Sequence, residues 1–144
     1  LEFRRVLFRS RYFKLIALSE IYGRDWASAA ELNVNAIRNL SGVSGGRQKV
    51  VYVDSDADGS MKLAADGDMN TYWHTVHNQF YLAPYPHEIQ IGLTKETVVK
   101  GIKYTPRQDA AEGRIAKYEV YVSRDGKSRR CTVSHGRPST GWQP

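Results

Sequence analysis

The chain has 144 residues, enough for one domain with its own core. Its charged and hydrophobic fractions, 25% and 41%, are ordinary for a globular chain, and no run of eighteen apolar residues is present to span a bilayer. The formal charge of +6 points to nucleic acid, but residues 1–10 contribute +2 and residues 128–144 contribute +3, which leaves +1 for the rest and removes that basis.

The single cysteine, Cys131, rules out a disulfide framework and a thiolate metal centre. Leu1–Ser10 (LEFRRVLFRS) resembles the translation of a short-read sequencing adapter and is set outside the fold reasoning. In the segment 11–34, Tyr12–Leu18 is aromatic and branched and predicts a strand, and Gly23-Arg24-Asp25 marks a turn. Ala29–Val34 reads either as one helical turn or as a strand. Residues 35–48 carry Ser41, Gly42, Ser44, Gly45 and Gly46 and read as a flexible linker with a coil reach of roughly 20 Å.

Lys49–Val53 is a short branched strand. Asp54, Asp56, Asp58 and Gly59 imitate the first half of an EF-hand loop. Ala65 stands where such a loop needs its last acidic ligand, so this is a solvated acidic loop. Glu88–Leu93 alternates, with Ile89, Ile91 and Leu93 on one face. Thr97–Thr105 is a further strand whose apolar phase changes near Gly101, which predicts a bulge. Lys117–Ser123 alternates again, with Tyr118, Val120 and Val122 inward, and Asp125-Gly126 predicts a tight hairpin turn. Residues 128–144 show no period and read as a reading-frame change near Ser128 or as a divergent tail. Short strands and frequent turns predict an all-β, antiparallel β-sandwich.

Asp66, Asp68, Asn70 and Thr71 crowd short oxygen side chains just before Trp73 and His74. Such a cluster forms an Asx-rich turn or holds a hard cation. The whole stretch AADGDMNTYWHT (Ala64–Thr75) resembles the signature loop of discoidin modules, the factor V/VIII type C fold that includes family-32 carbohydrate-binding modules. YPHEIQIGL (Tyr85–Leu93), KYTPRQD (Lys103–Asp109) and GRIAKYEVYVSRDGK (Gly113–Lys127) extend the resemblance in the same order. RYFKLIALSEIYGRDWASAAELNV (Arg11–Val34) resembles the closing segment of such a module.

The resemblance implies a discoidin jelly roll. It divides the chain into a preceding module's last strands (11–34), a linker (35–48), a second module lacking its last strands (49–127) and a tail. Because a jelly roll brings its first and last strands together, residues 11–34 are expected to complete the sandwich in permuted order. The resemblance further implies a structural Ca2+ held by Asp66, Asp68, Thr71, the carbonyl of Ala30 and Glu31. It also implies a sugar site in which His74 and Arg107 hydrogen-bond a galactose- or N-acetylgalactosamine-like unit. Tyr22, Trp26, Phe80 and Tyr81 are its candidate aromatic plates. Bland alternatives are an Arg107 salt bridge to Asp109 or Glu112 and a satisfied loop histidine at His74.

The expected role is a non-catalytic module that targets a covalently linked glycoside hydrolase to glycans, secreted or at the cell surface. The alternative is an adhesion module binding protein or lipid, with Phe80, Tyr81 and Leu82 as an apolar spike. No Lys or Arg lies between Lys62 and Lys95 to give that spike a basic rim. A zinc site at His74, His77 and His87 is disfavoured by the absence of H-E-x-x-H.

Overall fold

The computed structural model describes residues 8–36, 47–78, 80–127 and 130–134. It is built from strands joined by turns, with one short 3-10 segment at Ser60–Ala65. The strands are β1 (Phe8–Glu20), β2 (Ser28–Ala29), β3 (Glu31–Ala36), β4 (Gln48–Val53) and β5 (Trp73–His74). They continue with β6 (His77–Asn78), β7 (Tyr81–Leu82), β8 (His87–Thr105), β9 (Ile115–Ser123) and β10 (Arg130–Ser134).

The main sheet runs β10-β9-β1-β8-β3, with β4 also paired to β8. All its pairings are antiparallel. The N-terminal segment therefore lies at the centre of the sheet. Leu15 of β1 faces Ile89 of β8 on one side and Val120 of β9 on the other. Phe13, Leu15 and Ala17 point inward, as the period of two requires, and join Ile89, Ile91, Val120 and Val122 in one core. The opposite layer of that core carries Ala27, Ala29, Ala64 and Trp73, from the β2–β5 pair and the 3-10 segment. This is an all-β sandwich completed in permuted order.

Several sequence expectations sharpen or change. Phe8–Ser10 belongs to the adapter-like stretch, yet it extends β1 against Val99, Val98 and Thr97. Backbone pairing to a sheet asks little of side-chain identity, which is why composition gave no sign of it. Ala29–Val34 resolves as strand because β3 finds a partner in residues 99–105 of β8, and tertiary pairing outweighs local helix propensity. The two strands expected at 88–93 and 97–105 form one element of 19 residues.

Thr94–Glu96 is polar and exposed, which imitates a turn, but its backbone stays extended. Opposite it, β1 changes register between Ser10 and Tyr12, and Arg11 Nε donates to the Leu93 carbonyl at 3.2 Å. The bulge expected near Gly101 appears as a register shift, with Asn35 facing Gly101 and Ala36 facing Val99.

Asp125 and Gly126 do not make a two-residue hairpin turn. They lie within a longer connection between β9 and β10, where Asp125 Oδ1 accepts from the Lys127 N–H at 2.8 Å. The tail, aperiodic in sequence, contributes β10 at the edge of the sheet.

Candidate functional site

Two polar clusters sit on the loops that join these strands. The first is built around β5, where alternation sends Trp73 inward and Tyr72 and His74 to the other face. Trp73 is 1% exposed, and its Nε1–H donates to the Ser55 carbonyl at 3.0 Å. The β5 strand is held from both sides. Ser28 and Ala29 pair with His74 and Trp73, and the Ala57 N–H donates to the His74 carbonyl at 3.0 Å. The Ala27 N–H donates to Thr75 Oγ1 at 3.0 Å, so the N-terminal segment helps to fix this loop.

His74 Nδ1 lies 3.1 Å from the Thr75 carbonyl, and His77 Nδ1 lies 3.2 Å from the same oxygen. A carbonyl can only accept, so the contact at Thr75 calls for a proton on Nδ1 of each ring. The His74 ring stands 5.8 Å from Tyr72 and 5.2 Å from His77, centroid to centroid. His77 stacks on Trp26 at 5.1 Å.

Arg107, just beyond the end of β8, lies over the Tyr72 ring at 4.1 Å. Its Nε and Nη2 grip Asp109 at 2.7 and 2.6 Å, and Nη2 also donates to the Tyr72 hydroxyl at 2.7 Å. That fork holds Asp109 far below the usual carboxylate range, at about 2. The hydrogen bond to Asp109 in turn raises Arg107, against the opposing effect of burial. Three of the five guanidinium N–H groups are thus committed, and the described hydrogen bonds leave Nη1 for a ligand oxygen. Beside Tyr72 and His74 lies an open hollow of about 460 Å³, closed on its other side by Ala57–Ser60, Lys62 and Leu63.

The structure therefore brings His74 and Arg107 together through Tyr72, a residue that sequence reasoning passed over. The signal was present: in TYWH a buried Trp73 places Tyr72 and His74 on one face. The salt bridge of Arg107 to Asp109 is also real, and it orients the guanidinium while leaving Nη1 available. Trp26 joins the cluster, but His77 covers it on a stacked face and Arg24 stands 5.3 Å from its ring. Tyr22 is exposed, with Arg24 5.4 Å from its ring. Phe80 is 87% exposed at the β6–β7 turn. Tyr81 pairs with Asn78 across that hairpin, and its side chain lies outside the described residues.

The second cluster is the loop Asp66–Thr71. Asp66 Oδ1 accepts from the Asp68 N–H at 2.9 Å, and Thr71 Oγ–H donates to Asp66 Oδ2 at 2.8 Å. Asp68 Oδ1 turns to the Asn70 N–H at 2.9 Å, while the Asp68 carbonyl lies 3.1 Å from Thr71 Oγ. Glu31 reaches this loop from the N-terminal segment, 3% exposed, and accepts from the Gly67 N–H at 2.7 Å.

Burial pushes the Glu31 carboxyl up. The Gly67 N–H pulls it down, and the neighbouring Asp66 carboxylate adds to the rise. Asp66 is lowered overall: burial raises it, but the Asp68 N–H and the Thr71 hydroxyl outweigh that. Two facing carboxylates with a hydroxyl and carbonyls around them form an oxygen donor set suited to a hard cation. Ala30 is fully buried next to Glu31, and its N–H is spent on the Thr105 carbonyl. Among the described residues, no three or more of His, Cys, Asp and Glu converge, so neutral oxygens would have to complete any shell.

His87 stands apart from both clusters. It is 1% exposed, with Nδ1 2.9 Å from Asp54 Oδ2 and Nε2 2.7 Å from the Asp25 carbonyl. It is a structural tie between the two segments.

Comparison with known proteins follows this geometry. A sialidase of Micromonospora viridifaciens is 33% identical over 102 residues, covering 68% of this chain and 16% of the relative. A galactose oxidase of Gibberella zeae is 34% identical over 88 residues, covering 60% of this chain and 13% of the relative. An A type blood N-acetyl-alpha-D-galactosamine deacetylase of Flavonifractor plautii is 33% identical over 70 residues, 48% of this chain and 9% of that protein. The chain thus spans about a sixth or less of the length of these relatives. The profile of the F5/8 type C domain matches residues 49–143, through β10 and into the tail. With that match over more than half its length, and with the sandwich described above, the chain belongs to the F5/8 type C domain family.

Proposed function

We propose that this domain is a non-catalytic carbohydrate-binding module, with its sugar site at the hollow beside Tyr72 and His74. The observation that carries the reading is the placing of His74 and Arg107 against one ring, that of Tyr72. Among the described hydrogen bonds, none uses His74 Nε2 or Arg107 Nη1. A sugar hydroxyl both donates and accepts, so it can use the imidazole and the remaining guanidinium N–H groups together. Relatives named as a sialidase, a galactose oxidase and an N-acetylgalactosamine deacetylase support a glycan ligand and an extracellular setting. The names of the last two favour a galactose-like unit. Tyr72 is the aromatic ring that lines the hollow, and Trp26 is linked to His74 through His77; Tyr22 and Phe80 are exposed rings and further candidates for the plate. Open sites of this kind bind weakly, with Kd between about 1 mM and 1 μM.

Calcium would be held by Glu31, Asp66, Thr71 and the carbonyls of Ala30 and Asp68, and its role would be to neutralise the two facing carboxylates. The residues around it fix the loop that carries Tyr72, Trp73 and His74. The parent protein would be a glycan-active enzyme that this module tethers to its substrate.

Isothermal titration with galactose and with N-acetylgalactosamine tests the reading. Saturable binding that is lost in Arg107→Ala supports it. No binding to either sugar by a cooperatively folded sample overturns it. The exposed Phe80 favours a second reading, adhesion to a lipid or protein surface. Binding to phosphatidylserine vesicles that is lost in Phe80→Ser, with sugars inert, would decide for that one.

A further inference from the structure

The N-terminal segment has an unusual relation to the rest of the sheet. Its three strands pair only with strands of the later segment: β1 with β8 and β9, β2 with β5, β3 with β8. None of the three pairs with another, so residues 8–36 have no sheet of their own to form. Without β1, the main sheet would open between β8 and β9 and leave two unpaired edges flanking a slot.

The slot is also specific at both ends. Glu20, 3% exposed, accepts from the Gly113 N–H at 3.1 Å, and Glu31 accepts from the Gly67 N–H at 2.7 Å. Each glutamate caps a loop of the later segment. One covalent tie joins the two parts, the stretch 37–46, whose LSGVSGG is rich in Gly and Ser.

We infer that the slot between β8 and β9 is a strand-acceptor site that takes residues 8–36 from a second copy of this chain as readily as from its own. Every pairing and both caps are preserved when the segment crosses between chains, so the exchanged form differs only in the path of the tie. Exchange of an identical element is a low-cost route to a dimer, and strand addition to a sheet edge supplies most of its bonds from the backbone. The tie gives the internal segment an effective concentration in the millimolar range. The single-chain form therefore prevails in dilute solution, and the exchanged dimer accumulates when chains refold at comparable concentration.

The test uses full chains in a Cys131→Ser background. Ile16 of β1 and Glu119 of β9 face each other in register, both half-buried. Two single variants, Ile16→Cys and Glu119→Cys, are mixed, unfolded in guanidinium and refolded together at about 0.5 mM, near that effective concentration, in a thiol–disulfide buffer. Neither can close a disulfide within its own chain. A covalent heterodimer at least tenfold above that of a control pair, Ile16→Cys with Lys62→Cys, is expected. A yield no higher than the control, while the double variant closes its bridge within one chain, overturns the inference. Light scattering on the wild-type chain refolded across the same concentrations gives a second readout independent of the cysteines. A species of twice the monomer mass that survives dilution is expected, and monomer alone at every concentration overturns the inference.

Discussion

Leu15→Ala measures whether β1 is a structural member of the sandwich or a passenger. Leu15 is 2% exposed and lies between Ile89 and Val120. The substitution removes three carbons, at about 0.8 kcal/mol each, so the transfer cost is about 2.5 kcal/mol. The cavity left between two flanking strands raises the total toward 5 kcal/mol, because a paired sheet relaxes only in part. With a urea slope of about 1.5–2 kcal/mol/M, the unfolding midpoint falls by roughly 1–3 M. Ile16→Ala, on the outer face and only half-buried, is the matched control and costs about 1 kcal/mol or less. Urea unfolding followed by Trp fluorescence reports both, since Trp73 sits in the same core. A Leu15→Ala midpoint within about 0.5 kcal/mol of wild type would refute the central placement of β1.

Four further outcomes follow from particular contacts. Glu31→Gln relieves the facing carboxylates, so calcium raises the melting temperature of the wild-type chain and leaves the variant nearly unmoved. An equal calcium shift in both, by scanning calorimetry, would remove Glu31 from the ion's shell. Tyr72→Phe deletes the hydroxyl that receives Arg107 Nη2 but keeps the ring beneath it, and sugar affinity in titration calorimetry falls about 12-fold or more, the worth of one hydrogen bond to a charged group.

His87 is pushed down by burial and up more strongly by Asp54 and the Asp25 carbonyl, so its folded value is raised above the ordinary 6.5. Its contribution is complete below pH 6.5 and fades as pH rises through the folded value, so the urea-midpoint gap between wild type and Asp54→Asn is wider at pH 5 than at pH 9. Gly113→Ala puts a Cβ at φ +81° and 2.6 Å from Ser28 Oγ, and costs about 1–3 kcal/mol in the same urea assay.

The sequence made some of this plain and hid the rest for physical reasons. Alternation located the first half of β8 and β9, because a sheet with one buried face must alternate, and branched residues located β4. It could not join the halves of β8, since Thr94–Glu96 is polar whether the backbone turns or runs straight. Register is likewise silent in a single strand. Nothing in Leu15 says that its neighbours are Ile89 and Val120. At the site, His74 and Arg107 came from a family resemblance, and the structure sets both against Tyr72. Asp68 was expected among the metal residues, and which of its oxygens faces the loop was not legible: its carboxylate caps Asn70, and its carbonyl faces Thr71. Short Asx side chains find local N–H partners as easily as distant ones, and composition does not choose between them.

The central place of β1 has a consequence for the chain as it is made. Val120 is made about a hundred residues after Leu15, its partner in the sheet. At about 5–20 residues per second, Phe13 and Leu15 wait roughly 5–20 s in water before both flanking strands exist. For that interval the apolar face of β1 has no flanking strand to cover it, and it is a surface on which a chaperone can act before the sheet exists.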